Sequence, residues 1–260
     1  MIKSYLKTTI IYKLLVMYRV LKAKFILKDI NVFSQEVDDI SSDYGYSIKE
    51  NYRTLMQVIN IEYCIKYIKE NSISGSFVET GTWTGGASSY ALLSMMRNNT
   101  VRTYWGFDSF EGMPSPTVED GDHGKKWIGD DNTTINNADR EACYQFLLNT
   151  GYEKSKINLI KGWFEDTLSV HKRHIGKISI LRLDGDFYES TKVVMEQLYP
   201  QVVDGGVVII DDYGHFEGCR RAIKEFAPEQ KILYGDDGVR YFIKHQKNNL
   251  HINFESKIIN

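Results

Sequence analysis

The sequence predicts an α/β fold: a mostly parallel seven-stranded sheet with helices on both faces, closed by a terminal antiparallel hairpin. Three observations predict it. Strand-like and helix-like segments alternate along most of the chain. The runs "ISILRL" (178–183) and "GGVVII" (205–210) are nearly continuous in apolar residues, as strands buried on both faces require. Near the end, two short β-rich runs flank Gly235, Asp236, Asp237 and Gly238, a hairpin signal.

The elements follow in order. Residues 51–71 read as a helix with Leu55, Ile59, Tyr63 and Tyr67 on one stripe. The strand "SFVE" (76–79) runs through a Gly-rich turn into the helix "GGASSYALLSMM" (85–96), and "VRTYWGFD" (101–108) is the next strand. A polar stretch, 109–137, with Pro114 and Pro116, is too long for a plain connection and reads as a lid. The helix "ADREACYQFLLNT" (138–150) precedes the strand "INLIKG" (157–162), which leads through a turn to the strand "ISILRLDGD" (178–186). The helix "STKVVMEQLY" (190–199), the strand "GGVVIIDD" (205–212), a helix around 220–226 and the strands "KILYG" and "VRYFIKH" complete the set.

With 260 residues the chain fits one such domain, over 51–246, with an N-terminal extension (1–50) and a polar tail (247–260). The net charge of −2 gives no bias toward nucleic acid. Cys64, Cys143 and Cys219 lie far apart with no C-x-x-C pair, which argues against a disulfide framework or zinc ribbon and fits a cytoplasmic protein. No apolar run approaches the roughly 18–20 residues that span a bilayer. Residues 1–30 carry seven Lys or Arg and one acid, interleaved with apolar residues. This pattern suits a basic amphipathic helix that packs on protein, its own domain or a second subunit, or that touches a membrane surface.

Ligands of such sheets sit beyond the C-terminal strand ends, and acids cluster there. The turn "VETGTWTGGAS" offers Glu79, Gly81 and Gly85 before a helix N-terminus. Its G-x-x-x-G-G spacing, with bulky Trp83, departs from a dinucleotide fingerprint. An acid two residues before the first Gly suits the amino end of S-adenosylmethionine better than a diphosphate. Asp108 ends the next strand, 27 residues after Gly81, where a carboxylate takes the hydroxyls of a ribose. In "GWFEDT" (162–167), Trp163 and Phe164 suit the faces of an adenine and Glu165 or Asp166 its amine, although core packing explains the two rings equally well. Asp184 and the pair Asp211–Asp212 each follow a strongly hydrophobic strand, so the three carboxylates are expected to converge. Such a set repels itself unless a cation or proton neutralises it. All-oxygen ligands suit a hard ion, Mg²⁺ first, with Mn²⁺ and Ca²⁺ as alternatives.

These motifs, with "FDSFEGMPSP" (107–116), "LRLDGDFYEST" (181–191) and "LYP" (198–200), occur in the order and spacing of the macrocin O-methyltransferase (TylF-type) family, which the chain resembles over roughly 52–226. The resemblance implies a class I methyltransferase fold of Rossmann type and transfer of a methyl group from S-adenosylmethionine to a hydroxyl of a sugar or glycoconjugate. It implies metal binding by Asp184, Asp211 and Asp212. It implies a cofactor site over Thr54 and Leu55 at the methionine end, Glu79, Thr80, Gly81, Thr82 and Gly85 in the turn, Asp108 and Ser109, and Gly162 to Asp166. It also implies a homodimer. Thr80 and Thr84 depart from the residues common at those places in the family, and residues 1–50 and the lid between Val118 and Asn137 carry no recognisable part of its pattern, so the resemblance does not name the acceptor.

Mechanistically, a cation on two neighbouring hydroxyls lowers their pKa and fixes the acceptor. Asp184 is then both ligand and base, with His215 as the competing base. Other readings lead elsewhere. A haloacid-dehalogenase-type phosphatase would use Asp184 and Asp186 as its D-x-D pair, a nicotinamide oxidoreductase is disfavoured by the glycine spacing, and a non-catalytic partner with a methyltransferase fold should have lost a metal carboxylate.

Overall fold

A computed structural model describes residues 52–126, 136–234 and 239–245. The N-terminal extension, the centre of the lid, the turn of the terminal hairpin and the polar tail lie outside the described residues.

The helices are α1 (Tyr52–Glu70), α2 (Gly86–Arg97), the single turn α3 (Gly121–Lys125), α4 (Arg140–Asn149), α5 (Phe164–Ile175), α6 (Tyr188–Leu198) and α7 (Glu217–Phe226). The strands are β1 (Ser76–Thr80), β2 (Tyr104–Asp108), β3 (Ile157–Lys161), β4 (Ile178–Leu183), β5 (Val202–Ile210), β6 (Leu233–Tyr234) and β7 (Arg240–Ile243). They form one seven-stranded sheet in the order β3-β2-β1-β4-β5-β7-β6. β1 to β5 are mutually parallel, and β7 runs antiparallel to both β5 and β6.

All six residues of β4 and the last five of β5 are buried, which is why both segments are apolar apart from Ser179 and Arg182 of β4. Val78, Leu181, Leu183, Val208 and Ile210 pack with Leu168 of α5, Val194 and Leu198 of α6 and Ile223 of α7 in one core layer. On the sequence side of the same arrangement, α2 contacts α1 and α4, while α6 contacts α5 and α7.

One expectation is corrected. The segment after β3 is a turn for two residues only, and then a three-turn helix, α5. Glu165 and Asp166 in its first turn and Lys172, Arg173 and His174 in its last complement the helix dipole, and Gly176 ends it at φ 65°. Only Leu168 and Ile175 of this helix are buried, so its apolar stripe is too thin to announce it. Within the stretch read as a lid lie a 3₁₀ turn (Val118–Asp120) and α3.

Candidate active site

The sheet order reverses on either side of β1, between β2 and β4, and this switch point is where a parallel sheet opens a crevice. Register brings the acids together there. Thr80 pairs with Leu183, and Leu183 with Ile210. The ladder continues one residue further: Asp184 N–H donates to Thr80 O (2.9 Å) and Asp211 N–H to Leu183 O (2.9 Å). Gly81, Asp184 and Asp211 therefore stand side by side at the strand ends. Gly81 has φ +93°, and a β-carbon there would meet Asp184 O at 1.7 Å. Only glycine fits.

Asp184, Asp211 and Asp212 each present a carboxylate oxygen within 4.8 Å of the others. Asp211 and Asp212 are buried, whereas Asp184 keeps 29% side-chain exposure and borders the cavity. Beneath them lies a residue the sequence reading passed over within an apolar run. Arg182 is 1% exposed. Its Nη1 meets Glu79 Oε1 at 2.7 Å and Asp184 Oδ2 at 2.8 Å, and its Nη2 meets Asp211 Oδ1 at 2.7 Å. The repulsion expected among the carboxylates is thus met partly from inside the protein. Four carboxylates against one guanidinium still leave three negative charges in excess. Asp184 and Asp212 share a hydrogen bond, which needs a proton between them in the absence of a cation. Burial raises the Asp184 carboxyl to about 6; Arg182 opposes the shift, and Asp211 and Glu79 add to it. An all-carboxylate set with this charge excess fits a divalent hard cation.

A cavity of about 530 Å³ opens above these strand ends, a size typical of small-molecule sites. Gly81, Asp108, Ser109, Trp163, Phe164 and Glu165 form part of its wall on one side of the aspartates. Asp108 accepts from Trp83 N–H and Phe110 N–H, each at 2.7 Å. Burial raises its carboxyl, and these backbone donors hold the shift back. Ser109 Oγ donates to Gly112 O at 2.8 Å, shaping the start of the lid.

Other anticipated residues stand behind the wall. Glu79 is 1% exposed and both its oxygens are engaged, Oε1 by Arg182 and Oε2 by Ser88 Oγ and Tyr104 Oη. It braces the interior and does not line the cavity. Thr80 and Thr82 are buried and donate to Arg182 O and Phe107 O, and Gly85 caps the N-terminus of α2 at φ 89°. Gly162 turns the chain into α5 at φ 139°, and Asp166 is exposed on that helix. Thr54 and Leu55 lie in α1; of their side chains nothing is described, but Gln57 of the same helix lines the cavity and its amide donates to Asp211 Oδ2 at 2.5 Å. His215 is exposed in the turn after β5, off the cavity wall.

Asp120 is a further residue missed in the sequence, where it is one polar residue among many in the lid. It is 1% exposed, and its Oδ2 accepts from Thr117 N–H (2.7 Å) and Thr117 Oγ1 (3.1 Å). Its Oδ1 accepts from Tyr188 N–H at the start of α6 (2.7 Å). The contact requires Gly218 in α7, where a β-carbon would lie 2.0 Å from that oxygen. The described part of the lid is thereby pinned to α6 and α7.

Residues 42–236 match the family model of macrocin O-methyltransferases (TylF). The chain belongs to that family. A demethyldecarbamoylnovobiocin O-methyltransferase of Streptomyces niveus is 36% identical over 189 residues, 69% of this chain and 70% of the relative. The 8-demethyl-8-(2,3-dimethoxy-alpha-L-rhamnosyl)-tetracenomycin-C 4'-O-methyltransferase of Streptomyces olivaceus is 31% identical over 196 residues, 74% of each chain. Among solved structures, the O-methyltransferase NovP superposes with a TM-score of 0.65 at 29% identity, covering 74% of this chain and 80% of that one. Macrocin O-methyltransferase family membership makes this chain a methyltransferase and S-adenosylmethionine its methyl donor. The haloacid-dehalogenase reading of Asp184 and Asp186 has no support beside it. No helix among the described residues is long and apolar enough to cross a membrane.

Proposed function

We propose that this macrocin-family methyltransferase methylates a hydroxyl of a sugar or glycoconjugate, and that Asp184, Asp211 and Asp212 hold a divalent cation, Mg²⁺ first, for that reaction. The observation that carries the cation is the convergence of three carboxylate oxygens within 4.8 Å on the floor of the cavity, with negative charge left over after Arg182 is counted. The acceptor class rests on the relatives, one of which is a methyltransferase of a rhamnosyl-tetracenomycin.

When bound, S-adenosylmethionine supplies an electrophilic methyl group and the cation supplies Lewis acidity that lowers the pKa of an acceptor hydroxyl. The chain's own residues do the rest. Asp108 would take the ribose hydroxyls, Trp163 and Phe164 would hold the adenine, and Glu165 would accept from its amine. Gly81 lets the backbone approach the donor closely. Asp184, on the cavity wall beside the cation site, would accept the proton of the hydroxyl. The lid from Ser109 to Lys126, pinned by Asp120, covers the acceptor side and keeps water out.

The test is methyl transfer to a panel of methyl glycosides and natural-product glycosides, run with Mg²⁺ and with EDTA, beside a calorimetric titration of S-adenosylhomocysteine. Turnover that EDTA stops and Mg²⁺ restores is expected. Turnover indifferent to EDTA would remove the cation from the mechanism, and Asp184→Asn at near-normal turnover with saturating Mg²⁺ would remove Asp184 as ligand and base. Asp186→Asn belongs beside it, because Asp186 is the other carboxylate of that loop on the cavity wall.

A further inference from the structure

We propose that Arg182 is the positioning residue of the cation site, holding Asp184 and Asp211 from behind in the geometry in which they ligate; the inference rests on the cation reading above. Arg182 lies in the middle strand of the sheet, removed from water on every side. A guanidinium in such a place persists only where its donors meet carboxylates. Here its fork reaches three, on three neighbouring strands: Glu79 at the end of β1, Asp184 just past β4 and Asp211 just past β5.

The consequence for the two aspartates is loss of rotational freedom. Asp184 has one oxygen committed to Nη1 at 2.8 Å. Asp211 has Oδ1 on Nη2 at 2.7 Å and Oδ2 on the Gln57 amide at 2.5 Å. Both still border the cavity, so each keeps an acceptor lone pair for a cation. The fork is itself anchored. Glu79, its third partner, is fixed by Ser88 of α2 and by Tyr104 Oη of β2 at 2.5 Å. A chain of contacts therefore runs from Tyr104 and Ser88 through Glu79 and Arg182 to the ligating carboxylates. Glu79 thereby acts from behind the cavity wall, through Arg182, on the ligating carboxylates.

Charge and geometry act in opposite directions here, which makes the inference testable. As a nearby positive charge, Arg182 repels a cation; as a clamp, it preorganises the ligands. Lysine keeps the charge, but its three donors radiate from one nitrogen and cannot reproduce a fork whose two nitrogens reach carboxylates on three strands. Arg182→Lys therefore isolates the clamp. Mn²⁺ titrations of the full chain followed by electron paramagnetic resonance are expected to show affinity weakened about tenfold or more in the variant, the size typical of lost outer-shell support. The luminescence lifetime of bound Eu³⁺ should report at least one additional coordinated water, while S-adenosylhomocysteine binds as in the wild type. If Arg182→Lys does not fold, Tyr104→Phe serves: it keeps every charge and removes one of the two hydroxyls that hold Glu79, and should weaken Mn²⁺ by about tenfold, the lower end of the same range. Unchanged Mn²⁺ affinity with unchanged Eu³⁺ hydration in the variant that folds overturns the role of Arg182. Wild-type protein that binds S-adenosylhomocysteine but no Mn²⁺ overturns the cation reading and this inference with it, leaving the methyltransferase assignment intact.

Discussion

The β-carbon that Gly81 lacks would stand 1.7 Å from the carbonyl oxygen of Asp184, so the turn at the end of β1 and the loop after β4 touch backbone to backbone. The turn after β1 and the carboxylate floor cannot move independently at this point. Gly81→Ala combines that overlap with a positive φ of 93° and should destabilise the protein by more than about 3 kcal/mol, seen as a lowered midpoint in denaturant. A variant with wild-type stability and S-adenosylhomocysteine affinity would show that the turn has room the structure denies.

Asp108 is fixed by two backbone donors and reaches the cavity from the end of β2. Asp108→Ala removes the acceptor assigned to the ribose hydroxyls. Hydrogen bonds to a charged group contribute about 1.5–3 kcal/mol each, which predicts S-adenosylhomocysteine binding weaker by about one to two orders of magnitude. Mn²⁺ binding should not change. Equal loss of both ligands would mean that the substitution damages the sheet end rather than a ribose contact.

Asp184 makes the metal-free protein sensitive to pH. Its folded-state carboxyl, near 6, lies above the ordinary 3.8, so the folded form binds the proton more tightly than the unfolded form does. That stabilising contribution is complete below about pH 4 and is lost as pH rises through about 6. With EDTA present, Asp184→Asn, which cannot ionise, should therefore gain stability relative to the wild type between pH 4.5 and 7.5, by about 1–3 kcal/mol at about 1.4 kcal/mol per pKa unit. Denaturation curves at the two pH values decide it; a constant difference between variant and wild type would contradict the raised carboxyl.

Asp120 joins the lid to the N-terminus of α6 through one buried carboxylate. Asp120→Ala strips the partner from Tyr188 N–H and Thr117 N–H, at a cost of about 2–4 kcal/mol for two buried donors left unsatisfied. The lid should become the first site of limited proteolysis, and KM for the acceptor should rise more than KM for the methyl donor. A proteolysis pattern identical to the wild type would show that other contacts hold the lid.

Much of this was legible in the sequence, for a physical reason. A strand buried on both faces is mostly apolar, so an acid at or just past its end marks the level at which the sheet meets solvent. That is how Asp108, Asp184 and Asp211 announce a common plane before any register is known. Arg182 was illegible because one cation in "ISILRL" carries no mark of whether it is buried or capped by neighbours far off in sequence. Glu79 was placed in the cavity because its distance from Gly81 suits a donor contact; its burial depends on Tyr104 and Ser88, which no local pattern connects to it. The helix α5 escaped because only two of its residues are buried.

The side-by-side placement of Gly81, Asp184 and Asp211 has a bearing on how the protein comes into being. These residues are 103 and 27 positions apart along the chain, and they become neighbours only when β1, β4 and β5 are zipped in register. No local fragment contains the binding plane, and loop closure over such distances is slow to form and gives nothing in return until it is complete. Ligand occupancy should then act as a readout of the whole folded domain: a donor and a cation bound at this plane would select one cooperative state and draw the population toward it by mass action. A cell that supplies both would raise the abundance of this enzyme along with its activity.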